Sequence, residues 1–286
     1  MFRGKDDGDE ITLAVCPFCN NSKWNMQLNK AKAVFHCWAC GEGGSVRSFL
    51  RRFGVSFEDE DVKGGPEPRR ADPGAVALPE SEPILQAAAR SESAARSLAY
   101  LHFRDMSNKE IEEWGVKFGT GSGPWSGWTL FPFYGLGGLE YFQGLNHRLA
   151  KKYMGPDGGK DRFCPRRRSE TGMIVLVEGL FDGLAAWRRT RHDVMVLFGK
   201  FAGERQMAGL KAANYERVYV CLDGDAPKEG AALAEKLRAA GCRPWLVELD
   251  PDLDPDEANG DLPVFIKEAR EFTETSASRA RRKALS

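Results

Sequence analysis

Apolar positions change their period along the chain, and the clearest change lies at MIVLVEGLFDGLAAW, Met173 to Trp187. The unbroken apolar run Met173 to Val177, rich in branched residues and closed by Glu178-Gly179, predicts a strand buried on both faces. Phe181, Leu184, Ala185 and Trp187 then fall at roughly helical spacing and predict a helix packed back on the sheet. RVYVCLDGDA repeats the design, with a strand over Val218 to Leu222 and Asp223 and Asp225 leaving its end. Around these lie predicted strands Asp193 to Phe198 and Pro244 to Leu249, and predicted helices Glu204 to Ala213 and from near Lys228 to Ala240. Strands and helices that alternate in this way imply a parallel sheet.

Upstream the periods differ. Trp24 to Val34 alternates apolar and polar residues as a small β-ribbon does. Ala94, Leu98 and Leu101 mark a helix within Ser91 to Phe103, and Ser107-Asn108-Lys109-Glu110 is a capping-box pattern opening another that stops at Gly115. WTLFPFYG and LEYFQGLNHRLAKKYMGP read as strands joined by a Gly-Leu-Gly-Gly turn. Residues 58–83 are dense in Pro, Gly and charge and read as a linker, and residues 273–286 as a basic, disordered tail.

Composition alters this picture in two ways. Lys plus Arg and Asp plus Glu both total 41 in 286 residues, but the neutrality is segregation. Arg148 to Arg168 is strongly basic, whereas Glu248 to Asp261 carries acids and no basic residue, which suits a protein that grips polyanions in one place and cations in another. No stretch approaches the ~18 consecutive apolar residues of a membrane span, and the N-terminus lacks a secretion signal's apolar core, so a cytoplasmic protein with no membrane partner is expected. In that compartment the pairs Cys16/Cys19 and Cys37/Cys40 favour metal over disulfides. Four thiolates on two tight turns suit one structural Zn²⁺, leaving the neighbouring His36 to packing or surface.

Glu178 and Asp182, with Asp223 and Asp225, fall at strand ends, where open α/β sheets bind ligands. Each alone reads equally as a helix cap. Together with the acidic run LDPDLDPDEA, which includes Asp254 and Asp256, they suggest a divalent-metal site.

Glu178-Gly179 with Asp182, then Asp223-Gly224-Asp225, resemble the Toprim pattern of DNA primases, topoisomerases and related nucleases. Phe35-His36-Cys37-Trp38-Ala39-Cys40-Gly41, followed by Gly43-Gly44-Ser45-Val46 and Phe49-Leu50, resembles the zinc module that opens bacterial and phage DNA primases. LHFRDMSNKEIEEWGVKFG resembles the start of the primase catalytic core, and Asp254-Pro255-Asp256-Glu257 the acidic segment that ends its Toprim part. One departure is the link Ala-Pro-Lys-Glu-Gly after Asp225, longer than the family's, which predicts a late start for the next helix.

The resemblance implies an α+β multidomain chain: a zinc-binding ribbon over 1–57, the linker, a mixed-sheet first part of the primase core over 84–170, and a parallel-sheet Toprim domain over 171–272. It implies a DNA primase of a bacterial cell or phage-infected host, making short RNA primers from ribonucleoside triphosphates on single-stranded DNA, with any replicative helicase a separate chain. Glu178, Asp223 and Asp225 are the implied catalytic and Mg²⁺- or Mn²⁺-binding acids, with Asp182, Asp254 and Asp256 as further candidates. Whether Glu178 binds metal or handles a proton stays open. Asn146, Arg148, Lys151, Lys152 and Tyr153 are implied to meet nucleotide or DNA. In the ribbon, Trp24 and Trp38 offer rings for bases, and Lys23, Lys30, Lys32, Arg47, Arg51 and Arg52 offer charge for phosphates. The plain alternative for these side chains is a solvated surface. A Toprim nuclease and a non-catalytic zinc/Toprim recombination factor are the competing functions; a topoisomerase would need gate domains that this length leaves little room for.

Overall fold

The computed structural model describes residues 3–18, 21–31, 33–39, 43–46, 49–50, 76–135, 137–150, 152–156, 159–168 and 171–273. Cys19, Cys40, Lys32, Arg47, Arg51, Arg52 and Lys151, residues 58–75 of the expected linker and residues 274–286 of the expected tail lie outside them. By backbone contacts the chain divides into two units, Met1–Gly74 and Ala75–Ser286.

In the first unit, β1 (Gly4–Asp7), β2 (Glu10–Leu13), β3 (Met26–Asn29), β4 (Val34–Cys37) and β5 (Gly43–Ser45) pair antiparallel in chain order. The expected ribbon is β3 and β4, whose Met26, Leu28, Phe35 and Cys37 join Leu13, Cys16 and Phe49 in one apolar cluster. The β1–β2 hairpin is an addition that periodicity does not reveal, because β1 is exposed throughout. Its signal is the Asp7-Gly8 pair, since Asp-Gly suits a tight hairpin and Gly8 takes φ +66°.

The second unit begins with a sheet ordered β10-β9-β8-β7-β6, built from β6 (Ser81–Pro83), β7 (Lys117–Gly119), β8 (Thr129–Gly135), β9 (Gly138–Leu145) and β10 (Tyr153–Met154). Every described pairing in it is antiparallel, not mixed as the resemblance implied. From β7 to β10 the chain simply reverses direction at each connection, and no crossover is available to bring strands parallel. The expected linker also ran too far, because Ser81–Pro83 is already the edge strand β6. Pro83 misled the reading; an edge strand tolerates a residue with no amide hydrogen.

Between β6 and β7 lie α1 (Ile84–Ala88), α2 (Glu92–Phe103) and α3 (Asn108–Glu113). Ser91 Oγ accepts from the Ala94 amide at the start of α2. At α3 the capping box forms: Ser107 Oγ accepts from the Glu110 amide at 3.3 Å, and Glu110 Oε2 accepts from the Ser107 amide at 2.8 Å.

The third sheet is ordered β12-β11-β13-β14-β15, from β11 (Met173–Val177), β12 (Asp193–Val196), β13 (Arg217–Val220), β14 (Pro244–Leu246) and β15 (Arg270–Glu271). Its first four strands are parallel, as alternation requires, and β15 adds an unforeseen antiparallel edge. α4 (Leu180–Arg189), α5 (Glu204–Ala213), α6 (Pro227–Ala239), α7 (Pro255–Ala258) and α8 (Leu262–Glu268) accompany it. The strands stop two or three residues before their apolar runs do, at Val196, Val220 and Leu246. The late helix start does not occur: α6 begins at Pro227, whose missing N–H has no partner in a first turn anyway.

One buried cluster runs through both sheets of this unit, from Ile84, Trp114 and Phe131 to Val175, Leu184 and Leu262. The antiparallel and parallel sheets therefore share a core, and strands and acids separated widely in sequence are held by the same packing. Because α3 enters that core through Ile111 while its start is exposed, Ser107→Ala should lower stability by about 1 kcal/mol in urea unfolding without altering the fold.

Candidate acid site at the strand ends

β11 and β13 are neighbours, so their carboxyl ends deliver Glu178 and Asp223 side by side. Glu178 Oε1 accepts from the Asp223 amide at 3.3 Å. Asp182 Oδ2 accepts from the Gly179 amide at 2.8 Å, which makes it a helix cap as well as a buried acid, only 8% exposed. The third acidic run is drawn in by Gly224. Its amide donates to the Leu253 carbonyl at 2.8 Å, and a Cβ there would lie 1.9 Å from the Asp250 carbonyl oxygen. No side chain fits that approach.

The acids of this run are committed to different degrees. Asp254 Oδ1 accepts from the Glu257 amide at 2.7 Å and starts α7. Asp256 pairs with Arg104 at the end of α2, and the Arg104 guanidinium lies 3.8 Å from the Phe181 ring centre. Asp223 differs: its Oδ1 is buried and has no hydrogen-bond partner.

Burial together with like charge favours protonation throughout the cluster. The Glu178 carboxyl is pushed up to about 7, by burial first and then by the Asp223 charge, with Lys200 opposing. Asp182 also rises to about 7, through burial and the charges of Asp254 and Asp223. Asp223 and Asp254 are raised too, burial again the largest cause. Lys200, on the loop after β12, places Nζ 2.8 Å from Asp225 Oδ1 and 4.0 Å from Glu178 Oε1. Sequence reading missed it because nothing near Lys200 marks a motif; only the adjacency of β12 to β11 brings it here.

Among the described residues no three His, Cys, Asp or Glu side chains converge closely enough to hold one ion together. The donor chemistry nevertheless fits a hard divalent cation, which takes carboxylate oxygens. Asp223 Oδ1 makes no hydrogen bond that would compete with such a bond, and a cation would favour the charged form that burial first, and like charge second, disfavour in these acids.

The expected nucleotide-facing residues cluster on the β9–β10 turn. Asn146 is buried and structural in part: its amide donates to the Lys152 carbonyl at 2.8 Å, and its Oδ1 accepts from the Arg148 amide at 3.3 Å. Arg148 and Lys152 are exposed. The Arg148 guanidinium touches Ser93 Oγ at 3.2 Å. Tyr153, 39% exposed, is pushed up to about 12, chiefly by burial, and it feels the charges of Asp182 and Asp256. The basic turn and the acid cluster thus border each other. Tyr100, stacked on His147 at 4.7 Å, is a ring pair at this border that sequence reading did not single out.

In the ribbon, Cys16 and Cys37 are both fully buried in the same cluster, and the Cys16 amide donates to the Asn21 carbonyl at 2.8 Å. With Cys19 and Cys40 outside the described residues, the full ligand set rests on sequence. Two buried thiols in one small cluster, Cys37 at a strand end, fit a structural Zn²⁺. His36 packs edge-on against Trp38, at 4.5 Å, and burial lowers its pKa. Trp38 is 69% exposed and its indole N–H donates to Gln27 Oε1 at 2.6 Å. Trp24 is also exposed, under the ammonium of Lys5. Lys23 is exposed, whereas Lys30 pairs with Asp6 at 2.6 Å.

Two family matches agree with this organisation: a CHC2 zinc finger over residues 5–63 and a Toprim domain over residues 173–261. The DNA primase of Halalkalibacterium halodurans is 23% identical over 313 aligned residues, which cover 86% of this chain and 52% of that protein. The chain spans about half the length of the curated relatives with which it aligns broadly. Among solved structures, the zinc-binding and RNA polymerase domains of Aquifex aeolicus primase are similar at a TM-score of 0.57 and 19% identity, over 99% of this chain and 84% of that one. The DnaG primase catalytic domain bound to ssDNA is similar at 0.51 and 17%, over 65% and 75%. The molecule is therefore a zinc-ribbon chain with a Toprim-containing α/β core. Its fold and domain order are those of DnaG-type primases.

The raised carboxyls give stability a defined pH dependence. A carboxyl whose folded pKa exceeds its ordinary value costs nothing while protonated in both states, and its penalty grows as pH climbs from the ordinary value to the folded one. For Glu178 that window runs from 4.5 to about 7, and for Asp182 from 3.8 to about 7. In metal-free buffer the Tm should fall as pH rises through this window, and Asp182→Asn, which keeps the acceptor for Gly179, should flatten the slope. Calorimetry in a chelator would read both.

Proposed function

We propose that this chain synthesises short RNA primers on single-stranded DNA by divalent-metal-dependent nucleotidyl transfer. The observation that carries the proposal is the unpartnered, buried Asp223 Oδ1 at the paired strand ends, beside Glu178 and within reach of the same loop as Asp225. The domain order supports it, because a zinc ribbon ahead of a Toprim core is the arrangement of the primases that this chain resembles. Single-stranded DNA is the template this reading requires, and ribonucleoside triphosphates are its substrates.

Glu178, Asp223 and Asp225 are the proposed holders of Mg²⁺ or Mn²⁺, with Asp182 and Asp254 shaping their field. Asp256 serves better as the partner of Arg104 than as a ligand. Bound metal would neutralise triphosphate charge and polarise the α-phosphate. The residues' own work is to hold that charge at one place: the backbone amide of Asp223 orients Glu178, and Gly224 locks the acidic loop onto the strand end. Arg148 and Lys152, exposed on the turn that borders the acids, are the proposed phosphate-binding residues, with Tyr153 proposed for a base or sugar. Lys151 is carried by its sequence position alone. In the ribbon, exposed Trp38 and Trp24 are proposed stacking surfaces for template bases, and Cys16, Cys19, Cys37 and Cys40 the ligands of one Zn²⁺.

The deciding assay combines labelled ribonucleotides, single-stranded DNA and Mg²⁺ or Mn²⁺. Oligoribonucleotide product is expected; cleavage of the DNA would instead make this a nuclease, and neither product would leave a binding factor. Asp223→Asn should abolish synthesis while circular dichroism and urea unfolding stay near wild type, since the lost oxygen makes no bond within the protein. Metal analysis should find about one Zn²⁺ per chain, lost in Cys37→Ser together with the fold of the first unit.

A further inference from the structure

Lys200 is a charged group at the acid site that the proposed reaction does not use. It lies on the loop after β12, and its Nζ reaches Asp225 Oδ1 at 2.8 Å and Glu178 Oε1 at 4.0 Å, so a single ammonium engages one acid from each of the two strand ends. Its side chain is about a third exposed, whereas Glu178 is 11% exposed. The lysine therefore enters the cluster from its open side. The loop that carries it is itself tied to the site: the Gly199 amide donates to the Glu178 carbonyl at 3.2 Å, and the Lys160 ammonium holds the Phe198 carbonyl at 2.9 Å. Lys200 follows these anchors directly.

We infer that Lys200 is a built-in counter-cation of the acid site, holding Glu178 and Asp225 when no divalent ion is present and competing with that ion for the same carboxylates. The inference rests on the metal-site reading above and adds a residue that this reading does not require. Three physical points support it. A divalent ion held by both carboxylates would meet the ammonium that lies 2.8 Å from one and 4.0 Å from the other, and like charges brought so near repel. Neighbouring Asp223 Oδ1 has no donor, so Lys200 satisfies part of the cluster and leaves open an oxygen that a divalent cation can bind. A lysine stem is long and flexible, and with this side chain partly in solvent the ammonium can leave toward water without moving the backbone.

The consequence is a trade between the apo and metal-bound states. Lys200 lowers the repulsion that the folded, metal-free protein must bear, and it sets the concentration at which a divalent ion displaces it. The ion pair is partly screened, so the effect is moderate and falls with salt.

The test is Mn²⁺ binding to the whole, metal-stripped acid site, with the ribbon zinc retained, followed by electron paramagnetic resonance or calorimetry at pH 8. Lys200→Met keeps the stem and removes the charge. The expected result is Mn²⁺ binding roughly five-fold tighter than wild type at low salt, a gap that narrows at high salt, and a lower Tm without added divalent ion that saturating Mn²⁺ restores. Lys200→Arg, which keeps the charge, should bind Mn²⁺ no more tightly than wild type. Equal affinity for wild type and Lys200→Met would overturn the inference while leaving the metal site intact. Failure of both to bind Mn²⁺ would overturn the metal-site reading itself, and the inference with it. Neither outcome depends on primer synthesis.

Discussion

The chain must keep several carboxylates close together in a partly buried place, and much of the second unit can be understood as the means of doing so. Adjacent parallel strands β11 and β13 present Glu178 and Asp223 at neighbouring ends, and the carboxylates cannot separate without disturbing the sheet. Burial and mutual repulsion raise Glu178 and Asp182 to about 7. Repulsion of this kind would open a loosely held loop. Here it is resisted by backbone bonds from Gly179 to Asp182, from Asp223 to Glu178 and from Gly224 to Leu253. The site is therefore strained electrostatically but fixed geometrically, a combination that favours a bound cation over rearrangement.

The rigidity comes from packing that ignores the apparent division of the chain near residue 170. Trp114 and Phe133 from the antiparallel part lie in the same buried cluster as Val175, Val177 and Leu184 beneath the acids. Arg166 ties the parts again, bridging to Val194 through backbone hydrogen bonds and lying over the rings of Trp114 and Trp187. A further link is Arg104, which leaves α2 to pair with Asp256 and to cover Phe181. The basic β9–β10 turn consequently stands in a fixed relation to the carboxylates.

The ribbon follows a different economy. Its cluster is small, of Leu13, Met26, Leu28, Phe35 and Phe49 around the two described cysteines, and a core of that size gains much from a structural ion. Trp38 stays largely exposed in so small a module, its indole N–H held by Gln27.

Local chemistry was legible in the sequence wherever a residue acts through its neighbours in the chain. The apolar run at Met173 and its glutamate, the Asp-Gly-Asp, the Cys-x-x-Cys pairs, the capping box at Ser107 and the parallel alternation all announce themselves over a few residues, because turns, caps and strand periods are short-range. The resemblance to primases was legible for the same reason, being carried by those short motifs. What required the tertiary structure was every relation between distant segments. Lys200 is an ordinary loop lysine until β12 is set beside β11, and Asp256 looks like Asp254 until Arg104 arrives from another helix. Ser81–Pro83 is linker in composition and a strand only because β7 offers it an edge. The antiparallel order of the first sheet, and the common core beneath it and the parallel sheet, depend on which faces find each other once folded, and periodicity along one chain carries no record of that choice.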